Sequence, residues 1–249
     1  MSENFQTAVV TGASRGFGRA IAAALVAGGT RVVGIARDEG ELRAVREALG
    51  AGFVPLAGDA TDEALARDVV REYRPGLLVL NAGATPHMAP LQEQSWETFG
   101  RNWEVDARHV FAWSRAALLE PLAPGSVVVS MSSGAALAGS PLSGGYASAK
   151  QAIRYMRGYA AEESERGGLG IRFVALLPQL TPATGLGSVG VAGYAARQGV
   201  EPEAFVEGLQ PVLSPEQVAK AVLEVAGDSG SAPEYPEYRV SGAGLRPVK

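Results

Sequence analysis

The stretch Thr7–Gly18 reads TAVVTGASRGFG and sets the architecture of the chain. Its first five residues, Thr7–Thr11, form a short apolar run rich in β-branched side chains, which predicts a buried strand. Glycines follow at Gly12, Gly16 and Gly18, after which the sequence continues in helical phase. In a strand–turn–helix unit, glycines at this spacing serve a tight turn, a close approach of the backbone and close packing of helix on strand.

Outward from this stretch, short β-rich runs alternate with longer helical segments. The predicted strands are Thr7–Thr11, Arg31–Ala36, Phe53–Ala57, Leu77–Leu80, Ser126–Met131, Ile171–Leu176 and, more weakly, Glu237–Val240. The predicted helices are Gly18–Ala27, Glu39–Leu49, Asp62–Tyr73, Trp96–Leu119, Tyr146–Arg166 and Pro215–Ala226. Repeated β-then-α units favour a parallel sheet with right-handed crossovers. We therefore expect an α/β fold, a doubly wound parallel (Rossmann) sheet of about seven strands with helices on both faces, in a single domain over residues 1–249.

Two segments interrupt this alternation. Ser132–Gly145 is a loop of small residues, and Pro178–Pro215 is long, rich in glycine and proline, with a short helix predicted around Glu203–Leu209. Long irregular segments in compact domains often serve as lids or binding loops. In this fold they would lie over the carboxyl edge of the sheet, where open α/β sheets bind ligands.

Composition excludes several classes of function. The chain has 249 residues, 47% of them apolar and 19% charged, with a net charge of −4 and no basic excess of the kind that nucleic-acid binders carry. The absence of cysteine excludes disulfides and thiolate catalysis, and two histidines argue against a His-rich metal site. We see no secretion signal and no apolar run of ~20 residues that would span a membrane. A cytoplasmic protein without metal, membrane or nucleic-acid partner is expected.

The Gly-rich turn predicts a dinucleotide site, because the free N–H groups and the dipole at a helix start favour anionic phosphates. The alternative is a plain tight turn between strand and helix. The residues of the turn expected to contact the cofactor are Gly12, Ser14, Arg15, Gly16, Phe17 and Gly18.

The end of the second strand indicates which dinucleotide binds. A carboxylate there would bind the ribose 2′-OH of NAD(H) and repel a 2′-phosphate, but the chain has Ala36 followed by Arg37. Arg15 lies on the same side, and two guanidinium groups can hold a phosphate by charge-assisted hydrogen bonds. Asp38 is the counter-signal, and two solvated surface arginines are the alternative interpretation. The sequence favours NADP(H) over NAD(H).

These residues, with those that follow, resemble the short-chain dehydrogenase/reductase family over essentially the whole chain. The turn Thr11–Gly18 is similar to the family's TGxxxGxG motif. Asp59 and Ala60 resemble its adenine-contacting pair, and Asn81, Ala82 and Gly83 resemble its NAG motif beside the cofactor. Ser133, Tyr146 and Lys150 fall at its Ser…Tyr-x-x-x-Lys positions, which implies a Rossmann oxidoreductase in which Tyr146 and Lys150 also contact the cofactor.

The chemistry of the last three residues is understandable without the resemblance. Tyr146 and Lys150 are four residues apart in a helical segment and therefore share a face. An ammonium close to a phenol favours the phenolate, which can exchange a proton with an alcohol or carbonyl oxygen. Ser133 can hold the same oxygen; Ser132 competes for this role but needs a gap in the spacing. The alternative is a half-buried tyrosine beside a solvated lysine.

The sequence also departs from the family pattern. The resemblance aligns Asp106 with an asparagine that helps to hold a water beside the lysine, with Asn102 as a less favoured stand-in. Ionised, Asp106 would stabilise the Lys150 ammonium; protonated, it could imitate the amide. The family's Pro-Gly after the sixth strand is Pro178-Gln179 here. A threonine that binds the nicotinamide carboxamide would be Thr184, in preference to Thr181.

The function predicted from all of this is hydride transfer between NADP(H) and a small carbonyl or alcohol. A non-catalytic NADP(H)-binding sensor or scaffold is the alternative; a sugar-nucleotide epimerase is disfavoured by chain length and glycine spacing. An uncharged, partly apolar ligand is expected from the residues thought to shape the pocket, namely Leu180, Leu186, Val189, Val191, Tyr194 and Phe205. Helically spaced aromatics suit packing or a subunit contact, and the family implies a homodimer or homotetramer; they are Trp96, Phe99, Trp103 and Phe111. His87, near the presumed mouth, is interpreted as a surface residue.

Overall fold

In the computed structural model, which describes residues 5–227 and 236–248, eight strands form one sheet. The strands are β1 (Thr7–Thr11), β2 (Arg31–Ala36), β3 (Phe53–Ala57), β4 (Leu77–Leu80), β5 (Val127–Met131), β6 (Arg172–Pro178), β7 (Glu237–Ser241) and β8 (Gly244–Pro247). Their order is β3-β2-β1-β4-β5-β6-β7-β8, with all neighbours parallel except the antiparallel pair β7–β8. The predicted doubly wound parallel sheet is confirmed.

Helices connect the strands. They are α1 (Gly16–Ala27), α2 (Glu39–Leu49), α3 (Glu63–Tyr73), α4 (Trp96–Asn102), α5 (Arg108–Leu119), α6 (Ala135–Ala138), α7 (Gly144–Arg166), α8 (Gly185–Gln198), α9 (Pro202–Glu207) and α10 (Pro215–Ala226). A π-helical segment, Trp103–Ala107, joins α4 to α5. Single 3₁₀ turns lie at Gly50–Gly52 and Leu91–Glu93.

The alternation of side chains along β1 divides the core into two layers. Ala8 and Val10 pack with apolar residues of α1, α2 and α10 on one face of the sheet. Val9, between them, packs on the other face with residues of α3, α5 and α7, among them Trp113, which is fully buried. Because successive strand side chains point to opposite faces, one apolar run serves both layers. Helices therefore cover both faces, as the sequence predicted.

The topology places a ligand site between β1 and β4. The strand order reverses there, since β1 leads outward to β2 and β3 while β4 begins the other half of the sheet. The loops after two neighbouring parallel strands diverge at such a switch point and leave a crevice at the carboxyl edge. Those loops begin at Gly12 and Asn81.

The structure differs from the sequence prediction in four places. The helix predicted over Trp96–Leu119 is interrupted by the π-helical segment, and Pro178–Pro215, predicted as mainly irregular, contains the well-formed helix α8 as well as α9. The eighth strand, β8, was not predicted, because its Gly-Leu-Arg-Pro sequence lacks an apolar pattern and is largely exposed. The short helix α6 lies inside the predicted loop Ser132–Gly145. The remaining predicted strands and helices are confirmed to within two residues at each end.

Candidate active site

A cleft of about 990 Å³ runs along the carboxyl edge of the sheet. It brings together all but two of the predicted site residues: Gly12, Ser14, Arg15, Gly16, Phe17, Arg37, Asp59, Ala60, Asn81, Ala82, Gly83, Ser133, Tyr146, Lys150, Pro178 and Thr184. The exceptions are Gly18 and Asp106, which lie just behind its wall. The cleft has two halves. The loops after β1 and β2 form one half, named here the nucleotide end, and the loops after β5 and β6 form the other, named the catalytic end.

The Gly-rich turn at the nucleotide end needs its glycines. Gly12 and Gly16 have φ angles of 66° and 54°, in the left-handed region that other residues avoid. A Cβ on Gly12 would lie 2.9 Å from the Cα of Ala82, and one on Gly18 would lie 2.1 Å from the carbonyl oxygen of Gly12. Gly18 therefore acts by allowing close packing, which explains why it does not line the cleft.

Helix α1 begins at this turn without a side-chain cap. Arg15, at the N-cap position, has an extended backbone and its side chain makes no capping hydrogen bond. The first N–H groups of a helix need acceptors, and an uncapped start facing a cleft is suited to phosphate oxygens. The local structure thus provides an anion site made of backbone.

The loop after β4 is held against the turn by hydrogen bonds. The Asn81 side chain donates to the carbonyls of Thr11 (3.1 Å) and Gly12 (3.2 Å). The Thr11 hydroxyl accepts from the backbone N–H groups of Asn81 (2.9 Å) and Ala82 (3.2 Å). These bonds tie the two loops of the crevice together.

His109, on α5, completes this network and was missed by the sequence analysis. Its Nε2 lies 2.9 Å from the Thr11 hydroxyl oxygen, which also accepts from two backbone donors. The Thr11 hydroxyl can donate either to His109 Nε2 or to the carbonyl oxygen of Val79 at 3.3 Å, so both neutral tautomers of His109 fit the network. Complete burial, and next the nearby positive charge of Lys150, lower the pKa of His109 from 6.5 to about 3. The imidazole is neutral throughout the physiological range.

The loop after β3 is equally ordered. The Asp59 carboxylate accepts from the backbone N–H and the hydroxyl of Thr61, both at 2.9 Å, and the backbone bond is the main cause of its lowered pKa. The indole of Trp113 donates to the carbonyl of Ala60 at 2.8 Å. Asp59 and Ala60 therefore face the cleft from a fixed turn, as the resemblance implies for residues that contact adenine.

The charged side chains near the end of β2 differ in whether they have a partner. Asp38, the counter-signal to NADP(H), caps α2 by accepting from the backbone N–H of Glu41 at 2.9 Å. Arg15 lies 3.6 Å from a carboxylate oxygen of Glu41, and both side chains are exposed. Arg37 is exposed and forms no ion pair with any described residue. Arg37 is thus the cation beside the end of β2 that has no ion-pair partner among the described residues, and its charge helps to lower the pKa of Asp59.

The catalytic end is built around a buried ammonium. Lys150 donates to the carbonyl oxygen of Met131 at 3.0 Å, and its Nζ lies 3.2 Å from Oδ2 of Asp106. The same Nζ lies 5.5 Å from the centroid of the Tyr146 ring. Burial opposes the charged form, but Asp106 and Tyr146 outweigh it and the pKa of Lys150 is raised. Lys150 is therefore a permanent cation beside the phenol.

Asp106 is positioned by the π-helical segment. Its Oδ1 accepts from the backbone N–H of Ala84 at 2.8 Å and from the side chain of Asn102 at 3.3 Å. Asn102 also donates to the carbonyl of Ala84 at 2.8 Å. Extra residues in a helical turn commonly occur at functional sites, because they re-aim a side chain. Asn102 thus supports Asp106 rather than replacing it, and Asp106 contacts Lys150 directly.

The two candidate serines have different environments. Ser132 is buried, and its hydroxyl donates to the carbonyl of Lys150 at 2.8 Å, so it is engaged in packing the helix. Ser133 is half-buried at the cleft, and its oxygen accepts from the N–H of Ala135 at 3.2 Å, which leaves its hydrogen available. This difference favours Ser133, as the spacing did.

Helix α8 and the loop before it cover the catalytic end. Thr184 caps α8 by accepting from the N–H of Gly187 at 3.0 Å, whereas Thr181 is buried and donates to the carbonyl of Leu213 at 2.5 Å. Of the residues predicted to shape the pocket, Leu180, Leu186 and Tyr194 line the cleft. Val189, Val191, Phe205 and His87 are not among its lining residues, since α8 turns the two valines away.

The fold and the cleft define a Rossmann-type α/β protein with a nucleotide-binding edge. The family profile described as short chain dehydrogenase matches residues 6–189, and the chain belongs to this family of oxidoreductases. The family is thus the one that the sequence resembles.

Two solved structures share the fold of this chain. A 3-ketoacyl-(acyl-carrier-protein) reductase from Brucella melitensis, complexed with NADH, is 22% identical, with a TM-score of 0.79 over 95% of this chain and 97% of that one. A short-chain dehydrogenase/reductase described as glucose/ribitol dehydrogenase, also from Brucella melitensis, is 23% identical, with a TM-score of 0.81 over 97% and 98%. A comparison with curated proteins finds no match.

Two other kinds of feature are absent from the described residues. Within residues 5–227 and 236–248, no group of three or more His, Cys, Asp or Glu side chains is arranged to hold a metal ion. In the same part of the chain, no helix has the length and apolar character required to cross a membrane.

Proposed function

We propose that this chain is an NADP(H)-dependent oxidoreductase that interconverts a small carbonyl compound and its alcohol through Ser133, Tyr146 and Lys150. The observation that carries the proposal is the buried Lys150 ammonium, held by Asp106 and the carbonyl of Met131 beside the ring of Tyr146. A buried charge is costly unless it is paired. Such a group on the wall of a nucleotide-binding cleft is best explained by a chemical role.

The nucleotide end fits a dinucleotide. Gly12 and Gly16 adopt left-handed conformations, and the uncapped start of α1 offers N–H groups to phosphates. The Asp59–Ala60 turn would hold the adenine, Thr184 the carboxamide of the nicotinamide, and Lys150 the adjoining ribose. The bound cofactor would supply or accept hydride, while the protein contributes placement and electrostatics.

The residues at the catalytic end would move a proton. Tyr146 is half-buried at the cleft and would give its phenolic proton to a carbonyl oxygen, or take one from an alcohol. Lys150 would stabilise the phenolate that remains. Ser133, whose hydroxyl hydrogen is available, would donate to the same substrate oxygen.

Asp106 is proposed as a positioning residue. Its carboxylate pairs with the ammonium at 3.2 Å, while the carbonyl of Met131 accepts one of the three N–H donors, which leaves N–H donors on the side of the phenol and the cofactor ribose. Asp106 would thereby fix both the charge and the direction of Lys150.

The preference for NADP(H) rests on Arg37. It is the cation without an ion pair among the described residues beside the end of β2, while Asp38 is engaged as the cap of α2. The Brucella reductase with NADH bound is 22% identical and informs the fold alone. Arg37→Ala should weaken binding of NADPH at least about tenfold and leave NADH almost unchanged, because only NADPH carries the 2′-phosphate. Arg43→Ala, at an exposed arginine paired with Glu39 on α2, is the control. Equal losses for the two cofactors would contradict the assignment.

The catalytic proposal is tested by a screen of carbonyl compounds with NADPH oxidation as the readout. Tyr146→Phe should bind the cofactor normally but lose about 10²–10⁴-fold in turnover, the usual contribution of an acid–base group. Tyr155→Phe, an exposed tyrosine on the same helix, is the matched control and should be unaffected. Full turnover in Tyr146→Phe would reject the mechanism. Cofactor binding without turnover of any carbonyl in the wild type would favour the sensor or scaffold instead.

The quaternary structure is proposed from the exposed aromatic side chains on α4, the π-helical segment and α5. Trp96, Trp103 and Phe111 are exposed, and large exposed apolar groups often mark subunit contacts. A homodimer or homotetramer is expected by light scattering. The single domain and the cytoplasmic location stay predictions.

A further inference from the structure

Three hydroxyl groups form a cluster at the catalytic end. The Ser140 and Ser143 side-chain oxygens are 2.5 Å apart, and the Ser140 oxygen is also hydrogen-bonded to the hydroxyl of Tyr194. The backbone N–H of Ser143 donates to the Ser140 oxygen at 3.1 Å. All three side chains line the cleft, and Tyr194 reaches it from α8 while the serines precede α7.

Counting hydrogens shows that this cluster has a donor to spare. The three hydroxyls carry three hydrogens, and two of these make the internal bonds to and from Ser140. Ser140 is then saturated, since it also accepts from the backbone of Ser143. One O–H therefore remains, on Tyr194 or on Ser143, and it can donate to an acceptor in the cleft. This O–H faces the cleft, where a ligand oxygen can replace water as its acceptor.

The cleft wall around the three hydroxyl groups is mainly apolar. Gly187, Gly190 and Tyr194 lie three and four residues apart on α8 and line the cleft together, and the two glycines pack against Thr181 and Leu180 of the preceding loop. Leu180 and Leu186 add apolar surface. Ligand pockets are usually apolar with a few placed polar groups that fix orientation.

Other polar side chains on this wall already bond to the backbone. The amide of Gln179 donates to the carbonyl of Leu209 at 3.1 Å, and Thr181 and Thr184 bond as described above. The Thr184 hydroxyl accepts from Gly187 and keeps its own hydrogen, which the proposed function assigns to the nicotinamide carboxamide. The hydroxyl cluster is thus the hydroxyl donor on this wall that remains for the substrate.

The cluster lies close to the proposed proton-transfer group. Ser143 precedes Tyr146 by three residues at the start of α7, a rise of about 4.5 Å along a helix axis. A substrate whose carbonyl oxygen meets Tyr146 would therefore need its second oxygen only a few bonds away to meet the cluster. Because the cluster carries no formal charge, it suits a neutral oxygen.

We propose that the Ser140–Ser143–Tyr194 cluster binds a second, uncharged oxygen of the substrate. The substrates would then be neutral carbonyl compounds, or the matching alcohols, that carry a hydroxyl or carbonyl two or three bonds from the reacting carbon. This inference rests on the proposed function for the position of the reacting carbonyl. Tyr194 becomes a residue that determines specificity.

The test compares hydroxyacetone with butanone, which has a methyl group in place of the hydroxyl. Binding is titrated by calorimetry to the enzyme saturated with the oxidised cofactor, which has no hydride to give. Tyr194→Phe keeps the ring that stacks on Phe205 at 6.1 Å and removes only the hydroxyl. It should weaken hydroxyacetone about tenfold and change butanone by less than about twofold, as expected for one hydrogen bond. Tyr159→Phe, at an exposed tyrosine on α7, should change neither.

Each outcome decides the inference. Because the spare O–H lies on Tyr194 or on Ser143, Ser143→Ala is titrated in the same way. Equal weakening of both ketones in these variants, no weakening of hydroxyacetone in either variant, or no binding of either ketone to the wild type would overturn the inference. Tighter binding of pyruvate would also overturn it, because a carboxylate would then be bound by a cation such as Arg239 at the cleft edge. If hydroxyacetone binds through Tyr194 but the reduced cofactor is not oxidised, the proposed function fails and the binding site stands.

Discussion

The two ends of the cleft contain the same kind of ion pair in opposite environments. At the nucleotide end, Arg15 and Glu41 are 3.6 Å apart with side chains 80% and 41% exposed. At the catalytic end, Lys150 and Asp106 are 3.2 Å apart and 6% and 0% exposed. Water and salt screen the first pair, so it contributes little, whereas the second has lost its hydration and each partner depends on the other. Loss of one member of the exposed pair should therefore change the stability little, whereas the buried pair is part of the folded structure.

The largest expected effect follows from removing one partner of the buried pair. Asp106→Ala leaves the Lys150 ammonium buried without its counter-ion and should lower the free energy of unfolding by about 3–5 kcal/mol, measured by urea denaturation. Asp106→Asn, which keeps an acceptor for the N–H of Ala84, should lose less. A loss below about 1 kcal/mol in Asp106→Ala would mean that the pair behaves like a surface salt bridge.

An intermediate effect is expected from another buried ionisable side chain, His109. Its pKa is about 3 in the folded protein against 6.5 normally, so the unfolded chain takes up a proton first as the pH falls. The stability from a neutral His109 is therefore complete above pH 6.5 and declines below it, by about 2 kcal/mol at pH 5.

The measurement is the free energy of unfolding between pH 7 and pH 5, in the wild type and in His109→Gln. The variant should show the shallower decline, because glutamine cannot be protonated. His87→Gln, at an exposed histidine, serves as the control and should follow the wild type. Parallel curves for the wild type and His109→Gln would show that His109 is not protected from protonation.

The smallest effect belongs to the exposed pair. Glu41→Ala should change the free energy of unfolding by less than about 1 kcal/mol, and added salt should reduce even that difference. A loss as large as that of Asp106→Ala would remove the distinction between the two ends. The same denaturation series at low and high ionic strength provides the measurement.

The sequence predicted the nucleotide end well because its determinants are local. The left-handed turn at Gly12, the close packing at Gly18 and the apolar strand before them all follow from a dozen consecutive residues. The pairing of Tyr146 with Lys150 also follows from spacing within one helix. Elements whose conformation is determined by neighbouring residues can be predicted from the local sequence pattern.

The catalytic end was less predictable because distant segments assemble it. Helix α8 contains glycines at 185, 187, 190 and 193, which disfavour a helix locally. The Thr184 cap and the packing of the glycines against Leu180 and Met88 form it nevertheless. Tyr194 contacts Ser140 across 54 residues of sequence, and His109 contacts Thr11 across 98. Local sequence patterns do not indicate contacts between residues so far apart.

The most direct test of the account is a single-turnover experiment. The enzyme with NADPH already bound is mixed rapidly with a carbonyl substrate, and the loss of NADPH absorbance is followed in the wild type and in Tyr146→Phe. Because the cofactor is bound beforehand, the rate contains no cofactor-binding step. If Tyr146 gives the proton, the variant should bind NADPH as the wild type does and transfer hydride about 10²–10⁴-fold more slowly. Equal rates in the two proteins would show that the proton comes from another group.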